Sequence, residues 1–498
     1  MTPAYPDHLP SPAAPRRVWA LALAILAVAL FDAWRITRPG PTATDTLRAQ
    51  ALAGNVSAEY NLGRAYFFGR GVARDDTKAA HWFRKVAARG RPKAETFLGY
   101  LYDHGLGVPR DHVTANRLFR RAAEQGFAMA QYNLGISYHL GAGVRQDDAR
   151  ALSWYRAAAA QGFVKADDAI GFFYLHERGV PQDAAMAVRW FRKAAAGGVA
   201  RAQAELGYLH DTGRGVKRDP VRAAYWYRKA AAQGDADAEL NLGTLYQSGR
   251  GMPRNAATAA DWYRKAARQG SPHAQDRLCG LYVLGEGVAR DDAKAVHWCR
   301  LAAHRGMVAS QDALGYLYVK SRGLPRDDAK GGYWTRKAAN RGFASAQEDL
   351  GAMYLNGWGM AADPVAAAKW FRRAARQGNP AAEAQLAALY LTGNGVPQDG
   401  DRALVWFHKA ADQGLAPAQY MLAAIYSEGD AGQVPDPVKS YKWLVIARRN
   451  PNQLGMTRSP FPPGEAFLDR RMTKAQIAQA GAEAVAWIAR HGTNLAPR

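Results

Sequence analysis

The sequence predicts an all-α fold, a solenoid of about eleven stacked helix pairs, and three observations lead there. The first is a fixed period. One small residue recurs every 36 positions, as Gly63, Gly99, Gly135, Gly171, Gly207, Gly243, Cys279, Gly315, Gly351, Ala387 and Ala423. An unbroken period of this size marks a chain built from one supersecondary unit repeated in space. The second is that each unit carries two apolar patterns at helical spacing, separated by a glycine-bounded break. The third is a composition rich in Ala and Gly and 48% hydrophobic, which suits close helix packing without one large core.

The third unit, Ala130 to Gly162, shows how each element is specified. Ala130, Leu134, Gly135 and Tyr138 share one face of a first helix. Gly141 and Gly143 end it and turn the chain, because glycine tolerates the positive φ that such turns need. Asp147 then stands at an N-cap position, its carboxylate free to accept backbone N–H groups. Nine of the first ten units carry Asp there, and the other has Asn255. Ala151, Trp154, Tyr155, Ala158 and Ala159 form the apolar stripe of an amphipathic second helix, and Gly162 closes it. The small residue of the Leu-Gly pair lets the helices approach, and Trp and Tyr fill the spaces between units. One unit alone leaves an apolar face bare, so its stability comes from stacking.

The combined pattern, A-x-x-x-L-G-x-x-Y, then G-x-G-V, D-x-x-x-A-x-x-W-[FY]-x-[KR]-A-A and Q-G, resembles the Sel1-like repeat, a relative of the tetratricopeptide repeat. It covers residues 46–447 in register. The resemblance implies a right-handed superhelix of helix-turn-helix units whose members act as scaffolds or adaptors for other proteins.

Ahead of the repeats, residues 1–17 are Pro-rich and read as a disordered tail. Residues 18–34 form an apolar run flanked by Arg16, Arg17 and Trp19 on one side and by Trp34, Arg35 and Arg38 on the other. Aromatic residues with cations outside them mark a membrane–water interface, so the run reads as a transmembrane anchor. A cleaved signal peptide is the rival reading, and no clear A-x-A site follows the run. Residues 35–45 read as a linker, and Thr46 to Gly54 as the end of a second helix that caps the first unit. At the other end, residues 448–498 hold an irregular Pro-rich segment and then a capping helix to about Arg490, opened by the capping box Thr473-x-x-Gln476. The anchor points to a single-pass protein of a bacterial inner membrane, with the solenoid in the periplasm.

The net charge is +23. Much of it comes from pairs near the ends of second helices: Arg84-Lys85, Arg120-Arg121, Arg192-Lys193, Arg228-Lys229, Arg264-Lys265, Arg336-Lys337 and Arg372-Arg373. Repetition sets them in a row, either as a solvated ridge whose stems cover apolar surface or as a contact for anionic polysaccharide. No nucleic-acid module accompanies them, so nucleic acid is not expected as a partner. The two cysteines, Cys279 and Cys299, both fall in the seventh unit, one at the packing Gly and one at the aromatic after Trp298. They read either as a disulfide across the helix pair or as two small buried residues. The Gly-x-Gly turns follow helices and lack a Gly-Lys-Ser/Thr continuation, so they are turns and not phosphate loops. The histidines form no metal-ligand pattern, and no cofactor is expected.

The functional candidate is the inner face that first helices line in this family. Tyr60, Tyr100, His104, Tyr132, Ile136, Phe172, His176, Tyr208 and Tyr316 lie around the Leu-Gly pair. Aromatic residues on a rigid surface anchor a peptide or a partner helix, although the same residues also serve to pack first helices together. The expectation is a membrane-anchored protein-binding scaffold, possessing no catalytic site, that regulates an envelope signalling protein or complex. The alternatives are a binder of cell-wall glycan through the basic ridge and an enzyme acting on peptidoglycan or a β-lactam. No nucleophile–base pair or paired carboxylates support the last.

Overall fold

The computed structural model describes residues 41–432, 434–450 and 472–491. The tail at 1–17, the anchor at 18–34 and most of the irregular C-terminal segment lie outside the described residues. Among the described residues there are 24 α-helices and no strand. They alternate as first and second helices, from Val56–Phe68 and Asp76–Ala87 to Ala416–Glu428 and Pro437–Arg449. No helix among the described residues is long and apolar enough to cross a membrane. The chain divides into two compact halves, the first ending at Arg254 and the second beginning at Asn255.

Within each half the same local chemistry recurs. Every second helix of a repeat opens on an N-cap side chain that accepts the backbone N–H three residues on, as Asp75 does from Lys78, Asp219 from Arg222 and Asn255 from Thr258. The packing Gly is required by what faces it. A Cβ on Gly207 would lie 2.5 Å from Tyr227 Cδ1, and Tyr227 is fully buried. The second turn glycine acts between repeats. A Cβ on Gly215 would fall 2.4 Å from the backbone of Ala184, so the loop of one repeat rests on the start of the previous second helix.

The cysteines obey the same geometry. In most other repeats the packing Gly faces the aromatic twenty positions on, as Gly171 faces Phe191 and Gly351 faces Phe371, whereas Gly315 faces Thr335. Cys279 and Cys299 occupy those two places, with a sequence separation of 20, a Cα–Cα distance of 4.8 Å and a disulfide between them. The bond thus stands where a ring packed on a glycine stands in most other repeats.

A buried polar ladder runs beside this apolar packing. Four residues before the packing Gly each repeat has Glu, Gln or Asp, from Glu59 and Glu95 through Gln131, Asp167 and Gln203 to Gln347, Glu383 and Gln419, all buried. Gln131 Nε2 donates to the carbonyl of Ala123 at 3.2 Å, and its Oε1 accepts from Gln161 Nε2 at 2.8 Å. Gln203 repeats both contacts with Ala195 and Gln233. One side chain therefore joins the preceding second helix, its own first helix and the Gln of the closing Gln-Gly. Satisfied buried amides stabilise modestly, but an unpaired one is costly, which favours the register wherever both contacts form.

The ends depart from the expectations in one place. The helix before the first repeat runs Pro41–Leu52, so residues 41–45, read above as part of a linker, are helical. It is a full-length second helix in all but its repeat: Arg48 Nη2 donates to Tyr66 OH at 2.8 Å, and Ala51 is buried against the first repeat. At the C-terminus the helix Lys474–His491 carries the expected capping box, with Thr473 N–H donating to Gln476 Oε1 at 2.8 Å and Gln476 N–H donating to Thr473 Oγ at 3.3 Å. Its Trp487 is buried against Trp443 and donates from Nε1 to Asp412 at 3.1 Å.

Candidate functional site

First helices of neighbouring repeats touch, as through Asp168 and Arg201, and the predicted face residues lie on them just before and after the packing Gly. The structure sorts the predicted face residues into two kinds. Tyr100 and Tyr132 are buried, 4% and 8% exposed. Tyr100 packs edge-on against Phe67 and stacks on His104, whose Nδ1 lies 3.0 Å from the Tyr100 carbonyl. Tyr132 sits between Tyr155 and Phe163. Burial pushes the Tyr100 hydroxyl up to about 12 and the Tyr132 hydroxyl higher still. These two rings fill the core, which corrects the expectation that they stand in the partner surface. Burial lowers the His104 imidazole below its ordinary value.

Tyr60, Ile136, Phe172 and Tyr208 are half-buried, His176 is exposed, and Tyr316, in the second half, is 39% exposed. Two of them, Phe172 and His176, stand beside a charged group that sequence reasoning missed. Arg201 donates from Nε to Asp168 Oδ2 at 2.7 Å, with its guanidinium 5.3 Å from the centre of the Phe172 ring. His176 lies against the other side of this cluster, its ring 4.4 Å from Phe172. Glu205, one turn along from Arg201, has its carboxyl pushed up to about 7 by burial, against the pull of Arg201. Lys165 is pushed down to about 8, again by burial, against the pull of Asp168. Charged groups shifted in this way and gathered around one ion pair mark a candidate functional cluster. Asp168 and Glu205 lie three and two residues before a packing Gly. The sequence signal was a charge at a place that elsewhere in this half is mostly apolar or amide.

The basic ridge is largely engaged in packing. In most pairs the first cation reaches the Tyr of the next first helix, as Arg84 to Tyr102, Arg120 to Tyr138 and Arg372 to Tyr390, at 3.2, 2.9 and 3.2 Å. The second mostly lies over the Trp three residues before it, as Lys193 over Trp190 at 4.3 Å and Lys265 over Trp262 at 3.7 Å, whereas Arg121 pairs with buried Glu95 at 2.7 Å. Among the described residues no group of three or more His, Cys, Asp or Glu side chains is arranged to hold a metal ion.

The period, the N-caps, the glycine–aromatic contact and this face together define a repeat protein of the helix-pair class. The family profile described as Sel1 repeat matches eleven times, at residues 56–90, 92–127, 128–163, 166–199, 200–235, 236–271, 272–307, 308–343, 344–379, 380–415 and 416–451. The chain belongs to the Sel1 repeat family. It is similar to c5321, a protective antigen present in uropathogenic Escherichia coli strains displaying an SLR fold, with 34% identity, a TM-score of 0.78, and coverage of 91% of this chain and 96% of that one. It is also similar to a Sel1 repeat protein from Oxalobacter formigenes, with 36% identity, a TM-score of 0.45, and coverage of 49% of this chain and 96% of that one. No curated protein matches the chain.

Proposed function

We propose that this chain is a non-catalytic, membrane-anchored scaffold of the bacterial envelope that holds a protein partner on the first-helix face of its first half. The Sel1 repeat fold supports a protein-interaction role. The observation that carries the site is the half-buried Phe172 ring beside the fixed Asp168–Arg201 pair, with half-buried Tyr208 packed on the same core cluster as Phe172. Aromatic and Arg side chains on rigid helices are the residue types that dominate binding energy at interfaces. The apolar run at 18–34 supports the anchor, and the buried Cys279–Cys299 bond supports an oxidising compartment such as the periplasm. The description of c5321 as a protective antigen fits a protein outside the cytoplasm. Regulation of an envelope signalling protein or complex is the task this placement suggests.

A double variant Phe172→Ala/Tyr208→Ala is expected to weaken partner capture from solubilised membranes by about tenfold or more while leaving helical circular dichroism unchanged. Equal capture by variant and wild type would count against this face. A second reading, binding of cell-wall glycan or acidic polysaccharide, draws on the ridge. A cation–π contact or a bond to a neutral hydroxyl leaves the charge of Lys193 or Arg120 in place. That reading predicts steep loss of binding with salt.

A further inference from the structure

The eighth repeat departs from its neighbours at four places that hold the others together. We infer that its second helix, Asp328–Asn340, is a built-in joint, which opens as a local unit while the seventh and ninth repeats on either side stay folded. The inference concerns motion and stands apart from the partner reading.

The first place is the contact across the helix pair. Gly315 faces Thr335, which is buried, where Gly351 of the ninth repeat faces the fully buried ring of Phe371. Less apolar surface therefore holds the two helices together. The second place is the helix itself. Gly331 and Gly332 stand where the seventh repeat has Ala295-Val296 and the ninth has Ala367-Ala368. Two glycines in a helix interior raise the entropic cost of forming it. What lies beside them can move. A Cβ on Gly332 would fall 2.9 Å from Met360 Cε and 3.2 Å from Met353 Cε. Methionine is unbranched and repacks readily, so these neighbours can follow a shifting helix.

The third place is the turn. The left-handed residue that ends the first helix is Gly285 in the seventh repeat and Gly357 in the ninth, but Ser321 in the eighth, at φ 52°. A side chain there meets a steric cost that glycine avoids. The fourth repeat shares this feature at Glu177 but keeps Ala187-Val188 and the Phe191 ring. The fourth place is the polar ladder. Gln311 Nε2 donates to the Ala303 carbonyl at 3.1 Å, yet its Oε1 is buried with no donor in reach. In the ninth repeat Gln377 Nε2 donates to Gln347 Oε1 at 2.8 Å, whereas Arg341 holds the matching place in the eighth and turns to the carbonyl of Gly306. A buried acceptor left without a donor is costly. The seventh repeat has the same gap at Gln275, but the Cys279–Cys299 bond cross-links its helix pair.

The helix is nevertheless specified. Asp327 caps it, accepting from the Lys330 backbone N–H at 2.8 Å, and Trp334, Ala338 and Ala339 are buried. It forms, but it loses less on opening than the helices beside it, and such segments open well below the cost of global unfolding. Opening frees the ninth repeat to turn against the cross-linked seventh, which gives the second half a pivot.

The test is hydrogen exchange read by mass spectrometry on the full chain in detergent, without reductant. After correction for intrinsic rates, residues 331–340 are expected to exchange about 30-fold or more faster than residues 295–304 and 367–375 of the equivalent helices. Gly332→Ala, whose new methyl meets only the movable ends of two methionines, is expected to slow exchange over 331–340 about threefold and to leave 367–375 unchanged. Protection of 331–340 within about threefold of both neighbours overturns the inference. So does fast exchange spread evenly from the seventh repeat to the eleventh, which would be looseness of the whole half. A Gly332→Ala variant that exchanges no more slowly than wild type also overturns it, because the glycines would then not set the opening.

Discussion

Gly207→Ala is expected to destabilise the first half by about 1–3 kcal/mol, although the same change in an ordinary helix interior stabilises by up to about 1 kcal/mol. The sign reverses because the new methyl would sit 2.5 Å from the ring of Tyr227. That ring is fully buried between the helices Ala200–Thr212 and Pro220–Ala231 and has no free direction in which to move. Gly280→Ala supplies the contrast. A Cβ there meets nothing within 4 Å, so that variant should gain about 0.5–1 kcal/mol. Long repeat arrays unfold with reduced cooperativity, so hydrogen exchange over residues 200–231 is the better reading than a single melting temperature. A neutral Gly207→Ala would mean that the period does not record a packing constraint.

Breaking the Cys279–Cys299 bond is expected to cost the seventh repeat about 3 kcal/mol, the scale for a cross-link closing a loop of this length. Both side chains are buried, and neither thiol fills the space that a ring occupies at this place in other repeats. Reductant should therefore speed exchange across Pro272–Leu284 and Asp292–His304 before other helices respond. The double variant Cys279→Gly/Cys299→Phe restores the pairing found as Gly171 with Phe191, and it should be insensitive to reductant and close to the oxidised protein in stability. Either single change should do worse. Cys299→Phe alone sets a ring against the remaining thiol and overfills the contact, and Cys279→Gly alone leaves it empty. Equal exchange in oxidised and reduced protein would remove the bond from the account of stability.

The fold was legible because every repeat states it again. Eleven copies turn a weak Gly–aromatic preference into a register, and Asp147 or Asp219 at an N-cap needs no tertiary information to be recognised. The polar ladder was equally periodic at Glu59, Gln131 and Gln203, yet Glu and Gln at helical positions look like solvated surface until their burial is known. The face residues were harder for a different reason. Tyr100 and Tyr208 hold the same place in their repeats, but Phe67 and His104 enclose the first, whereas the second remains half-open. Burial at one position thus depends on side chains one repeat away, which the pattern averages out. The Asp168–Arg201 pair and the Asp312–Ser345 bond join residues 33 apart, across neighbouring first helices, and only the geometry brings them together. For the basic pairs the sequence leaves both a solvated ridge and an anionic contact open, because a tyrosine eighteen residues on gives no local hint that it takes the arginine.

The most direct test of the account is site-specific photocrosslinking in native membranes, with the reactive residue placed in turn at Tyr208, on the first-helix face, and at Val221, an exposed position on the second helix of the same repeat. The account predicts a discrete protein adduct from position 208 and none from position 221. An adduct from position 221 with none from position 208 would contradict it.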